Sequence, residues 1–269
     1  MIRSMFISVL FLCTSACTSP QAEIAVIKHI QRHRQTEHVE YVRLDIHSEG
    51  RSIGYLHAVY AHPENINLTL GLNPERKSIR QTFPSALLVA NAGFFTDTWK
   101  PTGLLRHSGR SLSPLITKGG AAGSGVFLVT DNIPRLVERE RITRQEVQKS
   151  SFAIQAGPRI IEPNGQPGIR SDDGKRRNRT LIGVSEKGLL VVASFIAHPN
   201  GGRGLSLFQL QELLTKRLRE ESHTAKYALS SALNLDGGPS SSFIFRGKKQ
   251  NIEVAGSNKV LSIIALEVK

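Results

Sequence analysis

Two short polar segments of the chain follow apolar runs and carry residue types from which a binding site is built. Residues 91–95 read Asn-Ala-Gly-Phe-Phe and follow the apolar run 86–90. Residues 234–242 read Asn-Leu-Asp-Gly-Gly-Pro-Ser-Ser-Ser. Glycines can adopt positive φ or let a ligand approach the backbone, and serines supply hydroxyl groups. An Asp-Gly pair alone is typical of an ordinary turn between strands, but two such corners indicate one shared site.

The polar residues around these corners match no common hydrolase or metal signature. Ser240, Ser241 and Ser242 lack the Gly-x-Ser-x-Gly spacing of a nucleophile elbow. The nine histidines form no His-Glu-x-x-His pattern or other recognised metal-binding pair. The sequence therefore predicts no metal site and no cofactor. A divalent cation held by Asp236 and serine oxygens stays open as an alternative.

The chain carries a formal net charge of +13. Its basic residues are scattered, and no nucleic-acid-binding motif accompanies them, so we expect no nucleic-acid partner. An exported basic protein is better suited to anionic envelope polymers, lipid head groups or a phosphate-bearing substrate. The densest basic cluster, residues 170–179, is expected to be mostly a solvated loop.

The first residues have the order of an export signal. Arg3 is followed by an apolar stretch from Met5 to Leu12 and then by small residues. We therefore predict a signal peptide over residues 1–16 and a location in the periplasm or cell envelope of a bacterium. Cleavage after Ala16 would leave Cys17 at the N-terminus, which resembles a lipoprotein signal, and a lipid anchor at Cys17 is left open.

The remaining chain divides into a short N-terminal segment and one folded domain. Residues 17–38 are interpreted as a helix or tether, because Ile24, Ile27 and Ile30 recur every three residues between Glu23 and Arg34. Alternating apolar residues begin at Val39, so residues 39–269 are predicted to form the domain.

Many short β-rich runs, separated by Gly, Pro or Asn, follow along the chain. Too few helical windows lie between them for alternating βαβ units, so the predicted fold class is α+β, with a strongly twisted mixed or antiparallel sheet and a few packed helices. The predicted strands are 54–61, 66–70, 86–91, 125–130, 152–155, 180–184, 188–195, 227–235, 243–246 and 260–268.

One helix has a clear start signal. Ser206 and Gln209 form a capping-box pattern, and Leu205 and Leu210 are spaced as a hydrophobic staple. The leucines that follow at helical spacing predict a helix packed on the sheet just before the acidic turn.

Six segments in order resemble the phosphodiester glycosidase family over roughly residues 86 to 245. These are 91–95, Pro-Thr-Gly-Leu at 101–104, Ala-Ile-Gln-Ala-Gly-Pro at 153–158, Arg-Thr-Leu-Ile-Gly at 179–183, Gly-Leu-Ser-Leu at 204–207, and Asn-Leu-Asp-Gly-Gly at 234–238. The family often continues the acidic turn with a third glycine. This chain has Pro239 there, which offers no backbone N–H to a phosphate.

The resemblance implies an exported hydrolase that cleaves the glycosidic bond of a sugar 1-phosphodiester. A phosphate is already a good leaving group, so strong general-acid help matters less than cations, hydrogen-bond donors and one carboxylate near the anomeric carbon. On this reading Asp236 is the catalytic carboxylate, as general base or charge stabiliser, and Arg179 binds the phosphate. Turn capping by Asp236 and a surface ion pair of Arg179 are the structural alternatives.

The other candidate residues are assigned around this pair. Asn91 is grouped with the catalytic residues. Asparagines at strand ends also commonly bond their own backbone, which applies to Asn91 and Asn234 alike. Substrate-binding candidates are Asn234, Gly93, Gln155, Gly237, Gly238, Ser241 and Ser242.

Two other functions remain open at this point. One is a non-catalytic carbohydrate-binding protein of the cell envelope. The other is a phosphodiesterase that cuts the phosphorus–oxygen bond.

Overall fold

The computed structural model describes residues 24–200, 202–220, 222–257 and 259–269. The predicted signal peptide and Cys17 lie outside these residues. No helix in the described ranges is long and apolar enough to cross a membrane.

Strands make up most of the regular structure in the described residues. Those of the N-terminal half are β1 (Ile24–Thr36), β2 (Val39–Ser48), β3 (Arg51–Ala61), β4 (Ile66–Leu72), β5 (Leu88–Asn91), β6 (Leu105–His107), β7 (Arg110–Ser113), β8 (Gly125–Thr130) and β9 (Ile133–Glu138). Those of the C-terminal half are β10 (Phe152–Ala156), β11 (Arg159–Ile161), β12 (Arg179–Ser185), β13 (Leu190–Ala197), β14 (Leu229–Asn234), β15 (Phe243–Arg246), β16 (Asn251–Val254) and β17 (Ser262–Val268).

The helices are few and short. They are α1 (Arg144–Lys149), α2 (Leu207–Glu212) and α3 (Leu218–Glu220), with a π-helical turn, Leu213–Arg217, joining the last two. Ser206 caps α2 through the predicted capping box with Gln209, and Leu205 and Leu210 are both fully buried. The predicted helix before the acidic turn is confirmed, although a wider π-turn interrupts it.

The strands form three open sheets. The first has the order β1-β2-β3-β13-β12-β14-β11, the second β7-β6-β10-β8-β9 and the third β16-β15-β5-β17-β4. Neighbouring strands in each sheet run antiparallel. The described residues thus form antiparallel sheets with few helices, in line with the predicted α+β class, and the strong twist of the sheet stays a prediction.

The core lies on both faces of the first sheet. The largest cluster joins this sheet to the other two, with members such as Tyr41, Phe127 and Phe243. A second cluster covers the opposite face, where Leu210 and Leu218 pack on it. Because both faces are covered, every residue of β12 is buried. Such strands read as continuous apolar runs rather than as alternating ones.

The helix expected from Glu23 to Arg34 is wrong over the described residues. Residues from Ile24 onward form β1, which pairs with β2 at the edge of the first sheet. Gln31, His33 and Gln35 are half-buried while Arg32 and Arg34 are exposed, which is a two-residue period. The residues that alternate in exposure are polar, so this strand has no alternating apolar pattern in the sequence. The three-residue spacing of the isoleucines therefore predicted a helix where a strand forms.

Candidate active site

The two glycine-marked corners meet in space, as the sequence predicts. Strand β5 ends at Asn91 in the third sheet, and β14 ends at Asn234 in the first. The amide of Asp236 donates to the carbonyl of Ala92 at 3.0 Å. The side-chain amide of Asn91 donates to the carbonyl of Asp236 at 2.6 Å. The acidic turn is thus fixed where two sheets come together.

Asn91 holds this junction together. Its Oδ1 accepts hydrogen bonds from the hydroxyl of Thr180 at 2.8 Å and from the amide of Ser242 at 2.9 Å. The residue is fully buried. These three bonds tie β5, β12 and both ends of the acidic turn to one side chain. The structure therefore places Asn91 beside Asp236 as a positioning group, with its oxygen and one amide hydrogen already bonded.

Asp236 carries the carboxylate of the site. Its backbone is pinned as described, and its Oδ1 accepts the amide of Gly237 at 2.8 Å. Burial raises the pKa of this carboxyl, while hydrogen bonds from Ser240 and Gly237 oppose the shift. A half-buried carboxylate with a raised pKa is suited to accept a proton or to stabilise a developing positive charge.

The two glycines let the turn lie against the start of β12. The amide of Gly238 donates to the carbonyl of Asn178 at 2.8 Å, and Gly238 has a φ of 60°. A Cβ at Gly237 would stand 3.1 Å from the carbonyl oxygen of Asn178 and 3.9 Å from the Cα of Arg179. The glycines shape the wall of the site, and Asp236 and Arg179 lie on the same side of the molecule.

Arg179 is buried beside the turn and bonds the backbone. Its Nε donates to the carbonyl of Leu205 at 2.9 Å, and its Nη2 donates to that of Lys175 at 2.5 Å. Burial lowers the pKa of this guanidinium; Asp173 raises it and Arg177 lowers it. These bonds orient the loop before β12 and the segment before α2. Direct phosphate contact by Arg179 stays a prediction.

A cleft of about 440 Å³ opens beside the acidic turn, and we name it the turn cleft. Gly238, Pro239 and Ser241 line it together with Arg177 and Arg203. Arg177 and Arg203 are both exposed. Sequence reasoning missed these two arginines, because an exposed arginine within a basic cluster looks like a solvated one. The signal that could have found Arg177 is its place two residues before the family segment that begins at Arg179.

Gln155 does not face a ligand. Its Oε1 accepts the amides of Leu104 and Ile116 at 3.1 and 2.9 Å, and its Nε2 donates to the carbonyls of Ile116 and Gly123 at 2.7 and 2.9 Å. All four hydrogen-bonding positions of the amide are therefore used. The side chain positions two loops, and the structure leaves it no free group for a substrate.

Asn234 and Gly93 lie in the walls of the junction. The amide nitrogen of Asn234 donates to the carbonyl of Gly157 at 3.0 Å, and its buried Oδ1 has no hydrogen-bond partner among the described residues. The carbonyl of Gly93 accepts the hydroxyl of Ser262 at 3.1 Å. Of these two residues, Asn234 is the one with an unbonded side-chain oxygen, within the described residues.

The serines after the turn differ in their bonding. The Ser242 hydroxyl donates to the carbonyl of Ser240 at 3.1 Å and accepts the amide of Gly256 at 2.9 Å. The Ser241 hydroxyl has no partner within the described parts of the chain, and Ser241 lines the turn cleft. The Ser241 hydroxyl is nevertheless buried, since Ser241 is only 1% exposed.

No cluster of three or more His, Cys, Asp or Glu residues that could hold a metal ion occurs in the described ranges. Asp236 is the one acidic side chain of the corner itself.

A known protein family matches most of the chain. The family model for phosphodiester glycosidases matches residues 85–266. No curated protein matches at a significant level.

Solved structures share the fold at low sequence identity. A hypothetical protein from Synechocystis has a TM-score of 0.60 at 14% identity, covering 92% of this chain and 68% of that one. The zebrafish N-acetylglucosamine-1-phosphodiester alpha-N-acetylglucosaminidase catalytic domain, auto-inhibited by its pro-peptide, has a TM-score of 0.60 at 15% identity, with 94% and 85% covered. A putative exported protein from Burkholderia pseudomallei K96243 has a TM-score of 0.52 at 12% identity, with 80% and 74% covered.

The family model spans well over half of the chain and includes both corners, Arg179 and the acidic turn. The chain belongs to the phosphodiester glycosidase family.

Proposed function

We propose that this chain is an exported hydrolase that cleaves the glycosidic bond of a sugar 1-phosphodiester. The products are the free sugar and a phosphomonoester. The observation that carries the proposal is the half-buried Asp236, whose backbone bonds Asn91 and Ala92 and whose turn lines a cleft together with two arginines.

The proposed reaction uses water and breaks the bond between the anomeric carbon and the phosphate oxygen. The water oxygen bonds to the anomeric carbon, and the phosphate leaves with the electron pair of the broken bond. Asp236 either accepts the proton of the water or stabilises the positive charge that develops on the sugar ring. Each role needs the ionised carboxylate.

The arginines of the turn cleft are proposed to stabilise the leaving phosphate. A leaving phosphate gains negative charge as the bond breaks, and guanidinium groups stabilise that charge through paired hydrogen bonds. Arg177 and Arg203 line the cleft next to the turn. In this proposal Arg177 and Arg203 bind the phosphate. Arg179 holds the backbone of the loop that carries Arg177.

The test determines which product takes up ¹⁸O from the water. The mature chain is incubated in ¹⁸O-water with a panel of sugar 1-phosphodiesters, and the products are weighed by mass spectrometry. The proposal predicts label in the free sugar. Label in the phosphomonoester would mean attack at phosphorus and a phosphodiesterase. Binding without turnover would identify a carbohydrate-binding protein that has lost catalysis.

We also propose export to the cell envelope, with a lipid anchor on Cys17, from the order of residues in the first segment. Radiolabelled palmitate added to growing cells should label the parent chain and not a Cys17→Ala variant. Parent protein without label, or found in the cytoplasmic fraction, would contradict this.

A further inference from the structure

A second cleft adjoins the turn cleft. It has a volume of about 450 Å³, and Arg51, Arg176 and Arg203 line it. Arg203 and Gly204 line both clefts, so the two clefts adjoin at these residues. A ligand that follows the exposed side chain of Arg203 would reach from one cleft into the other.

A backbone bridge forms the ridge between the clefts. Arg177 and Leu205 exchange hydrogen bonds of 3.1 and 3.0 Å as an antiparallel pair. Gly204 has a φ of 77°, and a Cβ there would stand 2.5 Å from the amide nitrogen of Arg177, so only glycine fits. Successive side chains of an extended segment point to opposite sides. Arg176 accordingly lines the second cleft while Arg177 lines the first.

Among the described residues, the arginines of the two clefts form no ion pair with an acidic side chain. Several other exposed arginines pair with glutamates, for example Arg135 with Glu146 at 3.1 Å and Arg219 with Glu186 at 2.6 Å. Arg51, Arg176, Arg177 and Arg203 are exposed and form no ion pair with the described acidic residues.

Glu49 is the one carboxylate that lines the second cleft, against three arginines. Positive charge therefore exceeds negative charge along the whole path.

The lining of the second cleft also indicates which anion fits. It has no aromatic side chain on which a nucleobase could stack. The hydroxyl of Ser52, which lines it, is already bonded to Asp45 and to His198. Recognition there must come mainly from guanidinium groups, which favour phosphate or carboxylate oxygens. A base-reading nucleic-acid site would need stacking surfaces that are missing from this cleft.

We propose that the substrate is a polymer of glycosyl phosphates, with the scissile phosphodiester in the turn cleft and the next phosphate of the chain in the second cleft. Arg177 and Arg203 bind the first phosphate, and Arg51 and Arg176 bind the second. This inference rests on the proposed function, since it names the substrate class of the same site.

The test measures binding separately from turnover. Hexose 1-phosphate oligomers with one and with two phosphodiester groups are titrated by calorimetry into the mature Asp236→Asn chain at low salt. We expect the two-phosphate oligomer to bind about tenfold more tightly, and high salt to reduce the difference because exposed charges are screened. Equal affinity for the two oligomers would overturn the proposal.

Substitutions then locate the second phosphate. Arg51→Ala combined with Arg176→Ala should lower the affinity for the two-phosphate oligomer to that for the one-phosphate oligomer. The control combines Arg110→Ala with Arg144→Ala, two exposed arginines far along the chain from either cleft lining, and should keep the tenfold preference. A preference that survives in the first double variant would place the second phosphate elsewhere and contradict the proposal.

Two further outcomes separate this inference from the proposed function. A single-stranded oligonucleotide with the same number of phosphates should bind more weakly than the two-phosphate oligomer. Equal binding would overturn the choice of a glycosyl phosphate polymer. If the oligomers bind as expected but the parent chain releases no sugar from either, the proposed hydrolysis fails while the two-phosphate path stands.

Discussion

The proposed role of Asp236 predicts how activity depends on pH. The proposed reaction needs the ionised carboxylate, and burial raises the pKa of this group above its ordinary value of 3.8. Activity should therefore rise with pH through a midpoint above 3.8. The measurement is kcat/KM for a sugar 1-phosphodiester as a function of pH. A midpoint at or below the ordinary value would show that another group, or none, controls the acid limb.

Alanine substitutions of Arg177 and Arg179 should affect different properties, activity in the first case and stability in the second. Arg177 is exposed in the turn cleft, so Arg177→Ala should lower kcat/KM by about tenfold or more while the thermal midpoint stays within a degree or two. Arg179 bonds two backbone carbonyls and is only 8% exposed. Arg179→Ala should therefore lower the unfolding free energy by about 2 kcal/mol, with loss of activity following from the displaced loop.

Thermal unfolding and steady-state kinetics on both variants check this division. If Arg179→Ala keeps the parental stability and loses activity alone, Arg179 contacts the phosphate directly, as the sequence indicates. Normal kinetics in Arg177→Ala would remove that residue from the site.

The sequence predicts those site residues whose role can be recognised from their type and their neighbours in the chain. Asp236, Gly237 and Gly238 stand out because a second glycine-marked corner, residues 91–95, also follows an apolar run. Gln155 does not reveal its role, since its four backbone partners come from loops distant in the chain. Arg177 and Arg203 look like any solvated arginine until the segments around them fold together.

Among the elements, the junction of β5, β12 and the acidic turn depends on the buried Asn91. Asn91→Ala would leave the Thr180 hydroxyl, the Ser242 amide and the Asp236 carbonyl without this partner. Unsatisfied buried groups cost about 1–3 kcal/mol each, so we expect a loss of about 3 kcal/mol in unfolding free energy. Because the turn also carries Asp236, the rate at saturating substrate should fall as well.

Asn73 is the matched control for this variant. It is also buried, and its side chain makes hydrogen bonds to Lys77 and Val260. Asn73→Ala should cost similar stability without lowering the rate of the molecules that remain folded. Equal activity losses in the two variants, measured well below their unfolding midpoints, would show that Asn91 has only a general structural role.

The elements themselves were predictable where the local pattern agrees with the final packing. The strands predicted at 125–130 and 243–246 are β8 and β15 residue for residue. The start of α2 follows from its capping box. Helix α1 was missed, although Thr143 and Glu146 form the same kind of capping box. Strand β1 was misread because pairing with β2, a long-range event, determines its structure.

For the whole molecule, the contact between the first and third sheets includes a titratable group. His57 is 4% exposed, bonds the hydroxyl of Tyr41 at 2.9 Å and packs near Phe243. Burial, with a smaller effect of Arg43, lowers the pKa of His57 from 6.5 to about 4. The folded protein therefore keeps this histidine neutral at a pH where the unfolded chain protonates it.

The sign of the effect on stability follows from proton binding. Between pH 6.5 and about 4 the unfolded chain binds a proton that the folded chain does not, so the free energy of unfolding falls as the pH falls. The shift corresponds to about 3 kcal/mol over that window. Urea unfolding at a series of pH values should show this slope in the parent and a smaller slope in His57→Gln. Parallel curves for the two proteins would contradict it.

The family model covers residues 85–266, while the proposed reaction depends on one carboxylate placed between two sheets. The most direct measurement of that claim is the single-turnover rate of Asp236→Asn on a sugar 1-phosphodiester that the parent hydrolyses, with substrate affinity measured alongside. We predict a rate at least about a thousandfold below the parental one, with affinity within about tenfold and an unchanged thermal midpoint. A variant that hydrolyses the substrate within about threefold of the parental rate would contradict the account.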